Sequence, residues 1–444
     1  FSTNGHPERV DFRQALLVGQ APDRGLYMPE RMPALGGEKV LAFSRMTYPE
    51  IAREVLAPYL GDLVPGSALL PMLQDAYSFE VPLEEAYDGK YILRLDRGPT
   101  CSFKDFAARI MARLMQYFLR QEGRRALILT ATSGDTGSAV AHAFFGLEDI
   151  DVVVLFPERE VTERQRRQMT TLGGNIHPLA VDGKFDDCQA LVKQSFADPA
   201  LVGLNLSSAN SINIGRLLPQ AVYYFYAASR VSQDLEEVVF SVPSGNFGDL
   251  MGGLLAMRMG LPTHRLVAAT NENDEFPRFM RTGVYEPIRP SRNCISNAMN
   301  VGHPSNLARV FCLYGGQMDE AGNVIRQPDL EAMRRDLFAV SISDQQTLST
   351  IREAYMRHRI LLEPHGAVGY AGLLMYLEEC GDWSPCVCLE TADPAKFPEE
   401  IVRATGITPP LPAAMARLDE MEERFDRIGS DYASLRRYLE RLQR

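Results

Sequence analysis

From Tyr91 onward the chain repeats short apolar runs of strand length: residues 126–130, 152–156, 176–181, 238–242 and 265–269. Most are followed by a stretch with helical spacing. That alternation is the rhythm of a mainly parallel sheet whose strands are buried on both faces. It restricts the chain to the α/β class, and 444 residues suffice for two or three domains with substantial cores. A further short apolar run at 386–389 reads as core strand, which makes Cys386 and Cys388 packing residues and not half of a zinc site.

The ends of the chain differ from this middle. Residues 1–92 lack the strand–helix alternation, show helical spacing at 11–19 and 48–60, and are punctuated by prolines, so they read as a mostly helical N-terminal domain. The tail 413–444 is charged and carries apolar residues at helical spacing, which predicts a helical extension that closes the fold.

A net charge of −11 argues against nucleic acid as a partner, because phosphate backbones call for a basic face. No apolar run has the length of a membrane span, so no membrane partner is expected. Seven scattered cysteines, an odd number, fit reduced thiols. With opening residues that hold neither a basic nor an apolar leader region, the expectation is a cytoplasmic protein. The sequence leaves the oligomeric state open, and a monomer is compatible with it.

In open α/β sheets ligands gather beyond the carboxyl ends of strands. Two glycine-rich turns fall there: 132–138 (Thr-Ser-Gly-Asp-Thr-Gly-Ser) and 243–249 (Pro-Ser-Gly-Asn-Phe-Gly-Asp). Glycine lets backbone amides converge on an anion, and a following helix adds its dipole. Neither turn has the Walker pattern or the dinucleotide fingerprint. A third segment, 97–106 (Arg-Gly-Pro-Thr-Cys-Ser-Phe-Lys-Asp-Phe), sets Lys104 between a Gly-Pro turn and a helical run at 106–119. Burial there would lower the amine's pKa and suit Lys104 to Schiff-base chemistry. An aldehyde cofactor with a phosphate handle, together with an amino-acid carboxylate, would occupy all three segments.

These segments resemble threonine synthase, a family of pyridoxal-phosphate enzymes of fold type II, nearly end to end. The resemblance implies two open, mainly parallel α/β domains with the cofactor between them, plus the helical N-terminal domain. The expected division is 1–92, 93–235 and 236–444. It implies that Lys104 bonds the cofactor aldehyde and that the loop Ser244, Gly245, Asn246, Phe247 and Gly248 cradles its phosphate. Asp135 would lie beside the cofactor ring. Thr391 would face its pyridine nitrogen, and a neutral partner there implies an unprotonated nitrogen. Thr132, Ser133 and Thr136 would bind the substrate carboxylate. Asn210, Ser211 and Arg216, in the segment 208–220, would bind the substrate phosphate. His365 reads either as a group supporting the site or as a structural histidine. No metal is implied.

The implied reaction converts O-phospho-L-homoserine and water to L-threonine and phosphate. The alternative is a phospholyase that releases 2-oxobutyrate, ammonia and phosphate from O-phosphothreonine or O-phosphohomoserine. Four positions depart from the usual motif: Arg97 and Asp393, each in place of a histidine, Asn300 in place of an aspartate, and Asn4 in place of an arginine. Asp135 poses a separate question, since a carboxylate beside the cofactor's phenolate would repel it unless protonated or paired.

Overall fold

The computed structural model describes residues 1–442 apart from 133, 233, 382 and 384. The first seven strands are β1 (Leu83–Tyr87), β2 (Lys90–Arg94), β3 (Ala126–Ala131), β4 (Ile150–Pro157), β5 (Ile176–Asp182), β6 (Leu206–Ser207) and β7 (Val238–Pro243). The remainder are β8 (Thr263–Thr270), β9 (Gln317–Met318), β10 (Val324–Arg326), β11 (Leu337–Ser341), β12 (Cys386–Glu390) and β13 (Asp426–Gly429). A six-stranded sheet has the order β1-β2-β12-β7-β8-β11 and a five-stranded sheet the order β13-β5-β4-β3-β6. Both are parallel throughout except at the β1–β2 hairpin. The five apolar runs fall in β3, β4, β5, β7 and β8, and the run at 386–389 lies within β12.

The expected divisions at 92/93 and 235/236 do not follow sheet membership. β1 and β2 belong to the six-stranded sheet, where β2 pairs with β12, and β13 returns to the five-stranded sheet beside β5. Pairing of distant segments sets these memberships, and local periodicity carries no trace of it. The tail is likewise only partly helical. It forms short turns at Ala413–Met415 and Leu418–Glu420, then β13, then a helix at Tyr432–Leu442. Met415, Leu418 and Phe425 pack against neighbours from a turn-rich path, with Phe425 tilted against Phe156 at 6.0 Å, whereas Met421 is exposed.

The helix Lys104–Glu122 buries Phe106, Ile110, Met111, Leu114, Met115 and Phe118, a stripe at three- and four-residue spacing, and stops at Gly123 in the left-handed conformation, φ 60°. The N-terminal helices do not form a core of their own. Tyr48 packs edge-on against Phe106 at 5.4 Å, and Phe43 against Phe225 at 5.8 Å, within one continuous buried cluster. No helix among the described residues is long and apolar enough to cross a membrane.

Candidate active site

The two sheets present their carboxyl ends to each other. Beyond the six-stranded sheet lie the Lys104 turn after β2, Thr391 after β12 and the 244–248 loop after β7. Beyond the five-stranded sheet lie residues 132–136 after β3 and 210–216 after β6. The segments singled out in the sequence therefore face one cleft.

Lys104 is the first residue of its helix, placed there by a turn in which Cys101 takes a left-handed φ of 54°. The side chain of Asp105 ties that turn, accepting from the Thr100 N–H at 2.8 Å and the Thr100 hydroxyl at 2.7 Å. Among the described residues no group accepts a hydrogen bond from Lys104 Nζ, which lies 4.6 Å over the Phe103 ring. Burial pulls the amine's pKa down, helped by the positive charges of Lys396 and Arg216, while Asp135 acts in the opposite sense.

Asp135 opens the helix Asp135–Phe144 and is fully engaged. Its Oδ1 accepts from Lys396 Nζ at 3.0 Å and from Gln165 Nε2 at 3.0 Å. Burial alone would raise this carboxyl, but the charges of Lys396 and Lys104 and the two hydrogen bonds outweigh it and hold the group well below the usual carboxylate range. The question raised by the sequence is answered by pairing. Gly134 before it has a φ of 138°, and a Cβ there would stand 2.4 Å from Gln165 Cδ, so only glycine fits.

The 244–248 loop ends at Phe247, a non-glycine residue at φ 60°, which starts the helix Gly248–Arg258. Strain of this kind persists where the surroundings over-determine the backbone. Here they do: Asn246 Oδ1 accepts from Ser305 N–H at 2.7 Å, its carbonyl accepts from Asn306 Nδ2 at 3.0 Å, and the Ser244 N–H donates to the Ala269 carbonyl at 2.7 Å. A Cβ on Gly245 would lie 2.8 Å from Met299 Cα, so the loop packs backbone on backbone.

Asn246 Nδ2 also donates to Ser211 Oγ at 2.6 Å, joining this loop to the segment at 210–216. Asn210 Oδ1 accepts from the Thr130 hydroxyl. Arg216 is buried and makes no ion pair among the described residues; Nη1 donates to the Ala209 carbonyl at 2.6 Å, and Nε has no partner. Burial pulls its guanidinium down to about 10, with Asp105 opposing. A buried cation without a carboxylate calls for an anion. The segment is braced by Arg309, which donates to the Ser211 and Ile212 carbonyls at 3.0 and 2.6 Å and to the Tyr27 carbonyl at 3.1 Å, bringing the N-terminal segment into the site's support.

Thr132 is placed differently from the expectation of a substrate-binding side chain. Its hydroxyl is used within the turn, accepting from Gly134 and Gly137 N–H at 2.9 and 2.8 Å. Thr136 sits partly buried in the first turn of its helix, and Ser133 lies outside the described residues. His365 Nδ1 donates to Glu363 Oε2 at 2.5 Å, and Nε2 accepts from Ala298 N–H at 3.0 Å, so it braces the loop that lies under Gly245.

The departures have partners. Arg97 and Asp393 approach to 3.9 Å. Asn300 accepts from Asn271 Nδ2 at 3.0 Å and donates to the Cys294 carbonyl at 3.2 Å, a dual role closed to an aspartate. Asn4 donates to the Asp23 carbonyl at 3.0 Å. Sequence reasoning missed Lys396, Gln165 and Glu363. For Lys396 a signal existed, since Asp135 demanded a cation and a lysine stood three residues beyond Asp393.

Among the described residues, an amine with no acceptor, a glycine-bearing loop before a helix and a buried guanidinium with no ion pair suit a phosphorylated aldehyde cofactor and an anionic substrate. A family model described as pyridoxal-phosphate dependent enzyme matches residues 82–392, and the fold is that of fold type II enzymes using this cofactor. Models described as threonine synthase N terminus and threonine synthase, C-terminal match residues 1–77 and 366–439. Threonine synthase of Serratia marcescens is 39% identical over 99% of this chain and 98% of its own length. The Escherichia coli enzyme is 38% identical with the same coverages. The crystal structure of pyridoxal-phosphate-bound threonine synthase from Brucella melitensis superposes with a TM-score of 0.94 at 37% identity, covering 100% of this chain and 99% of that one. The chain belongs to the threonine synthase family.

Proposed function

We propose that this chain converts O-phospho-L-homoserine and water to L-threonine and phosphate in the cytoplasm. The observation that carries the reading is Arg216: among the described residues a buried guanidinium without an ion pair, in the segment that Ser211 joins to the second anion nest through Asn246 at 2.6 Å. Pyridoxal phosphate, when bound, supplies an electron sink for carbanion chemistry at the substrate. Lys104 would hold its aldehyde, residues 244–248 its phosphate, and Asp135 and Thr391 its ring. Lys104 Nζ, its basicity lowered by burial, is suited to move protons at the substrate's Cα. Arg216, with Asn210 and Ser211, receives the substrate phosphate and holds it as it leaves, a task for a planar fork and neutral donors. The Asp135 and Thr136 amides, at the start of the helix Asp135–Phe144, bind the substrate carboxylate.

Incubation of the holoenzyme with O-phosphohomoserine tests the reading, with threonine and phosphate expected as products. Release of 2-oxobutyrate and ammonia in place of threonine would replace it with the phospholyase reaction. Lys104→Ala is expected to lose both the visible absorbance of the bound cofactor and all turnover.

A further inference from the structure

The Arg309 guanidinium, fully buried on the helix Leu307–Leu313, reaches three segments that are distant in sequence. Nε donates to the Tyr27 carbonyl at 3.1 Å and Nη2 to the Ile212 carbonyl at 2.6 Å. Nη1 donates both to the Ser211 carbonyl at 3.0 Å and to Asn306 Oδ1 at 2.6 Å.

The last of these bonds begins a closed circuit. A guanidinium can only donate, so Asn306 must present Oδ1 to Arg309. That turns its Nδ2 towards the Asn246 carbonyl, 3.0 Å away. A backbone N–H likewise can only donate, and the Ser305 N–H fixes Oδ1 of Asn246 on its own side at 2.7 Å. Nδ2 of Asn246 is thereby turned to Ser211 Oγ at 2.6 Å. The Ser211 carbonyl then leads back to Arg309. The circuit has one side in the 244–248 loop and the other in the segment 208–220, and Arg309 is its one charged member. Among the described residues no carboxylate pairs with this guanidinium, which burial pulls down to about 9 with Cys312 opposing. A buried cation left without a carboxylate is best satisfied when anions occupy the sites beside it.

We propose that Arg309 is a positioning residue that sets the spacing between the two phosphate sites and ties their affinities together. It holds the 244–248 loop through Asn306 and the 208–220 segment through the Ser211 and Ile212 carbonyls. The inference rests on the reading above, in which the first takes the cofactor phosphate and the second the substrate phosphate. An anion seated in either segment firms the circuit, so the other anion meets a site that is already shaped. Substituting Arg309 therefore weakens both sites at once, whereas a group that serves one phosphate alone weakens one.

The test uses the full chain. Arg309→Lys keeps the charge, but a single ammonium cannot span three segments. Pyridoxal phosphate should bind it about 10- to 100-fold more weakly in equilibrium dialysis. At saturating cofactor, the KM for O-phosphohomoserine should rise by a similar factor, and by more than kcat falls. Arg109→Lys is the control, since Arg109 is also buried and donates to the Ala76 and Asp75 carbonyls at 2.6 and 2.7 Å. It should lower the melting temperature and leave both affinities unchanged. Asn306→Asp keeps the acceptor for Arg309 but loses the donor to Asn246, and should weaken pyridoxal phosphate binding without any change at Arg309. A folded Arg309→Lys protein with only one affinity altered, or neither, overturns the inference. If that variant does not fold, unchanged cofactor affinity in Asn306→Asp overturns it instead. A wild type that takes up no pyridoxal phosphate, or does not respond to O-phosphohomoserine, sinks the underlying reading as well; a wild type that binds both, with variants that match it, sinks the inference alone.

Discussion

Lys396 Nζ and Asp135 Oδ1 lie 3.0 Å apart, both buried, and the pair spans the cleft. Lys396 belongs to the turn after β12 and Asp135 to the helix after β3. The bond thus ties one sheet to the other at the place where the cofactor ring is proposed to lie. Asp135 in turn keeps the Lys396 ammonium charged against the desolvation that burial imposes.

Lys396→Met is expected to destabilise the fold by about 3–5 kcal/mol, the usual cost of stranding one partner of a buried pair. Adding Asp135→Asn in the same chain should recover most of that loss. Urea unfolding of the two single variants and the double variant checks it; additive losses would show that the pair does not act as a unit.

Arg97 and Asp393 have side-chain exposures of 39% and 8%, so their 3.9 Å contact is largely screened at one end. Arg97→Ala should cost less than about 1 kcal/mol. Asp393→Ala should cost more, because Asp393 also caps the turn Pro394–Lys396 by accepting from the Ala395 N–H at 2.8 Å. Loss of that cap would loosen Lys396. The prediction is therefore a larger fall in both melting temperature and kcat for Asp393→Ala than for Arg97→Ala; equal effects would count against a positioning role for Asp393.

Arg216→Lys keeps a positive charge but loses the planar fork. With roughly 2–4 kcal/mol at stake in charge-assisted hydrogen bonds, kcat/KM for O-phosphohomoserine should fall about 30- to 1000-fold. The absorbance of the bound cofactor should be unchanged. An altered cofactor spectrum would instead place Arg216 at the cofactor phosphate.

Glu275 is buried at the start of the helix Glu275–Thr282 with Oε2 unpartnered, and burial pushes its carboxyl up to about 8. The folded state therefore binds this proton more tightly than the unfolded state does. Its contribution to stability is present in acid and is lost as pH rises from about 4.5 towards 8. Glu275→Gln should remove that decline. The variant should gain stability over the wild type by a few kcal/mol, on the order of the linkage energy, between pH 5 and pH 8. Equal stability of the two proteins at both pH values would show that Glu275 is not held in its protonated form.

What could be read from the residues was mostly what local patterning encodes. The strands β3, β4, β5, β7 and β8 are apolar runs buried on both faces, and the glycine-rich turns follow β3 and β7 because strand ends need them. Lys104 was legible through its Gly-Pro turn and the helix after it. The membership of β2 and β13 was not, since it depends on pairing with β12 and β5, partners distant in sequence. Nor was the contact of the Thr391 hydroxyl with Glu363, which lies 28 residues away in sequence. Thr132 illustrates a structural role that residue type does not reveal. Its residue type suggests ligand binding, but its hydroxyl is spent on shaping the turn.

The return of β13 to the edge of the five-stranded sheet has a consequence for synthesis. β5 keeps an open edge until residues 426–429 have emerged from the ribosome, after every other strand has been made. A nascent or truncated chain ending before that point exposes an unpaired strand edge, the kind of surface that recruits other chains. Shielding during translation, by a chaperone or by the ribosome itself, thus falls to the half of the molecule that is begun early and sealed last.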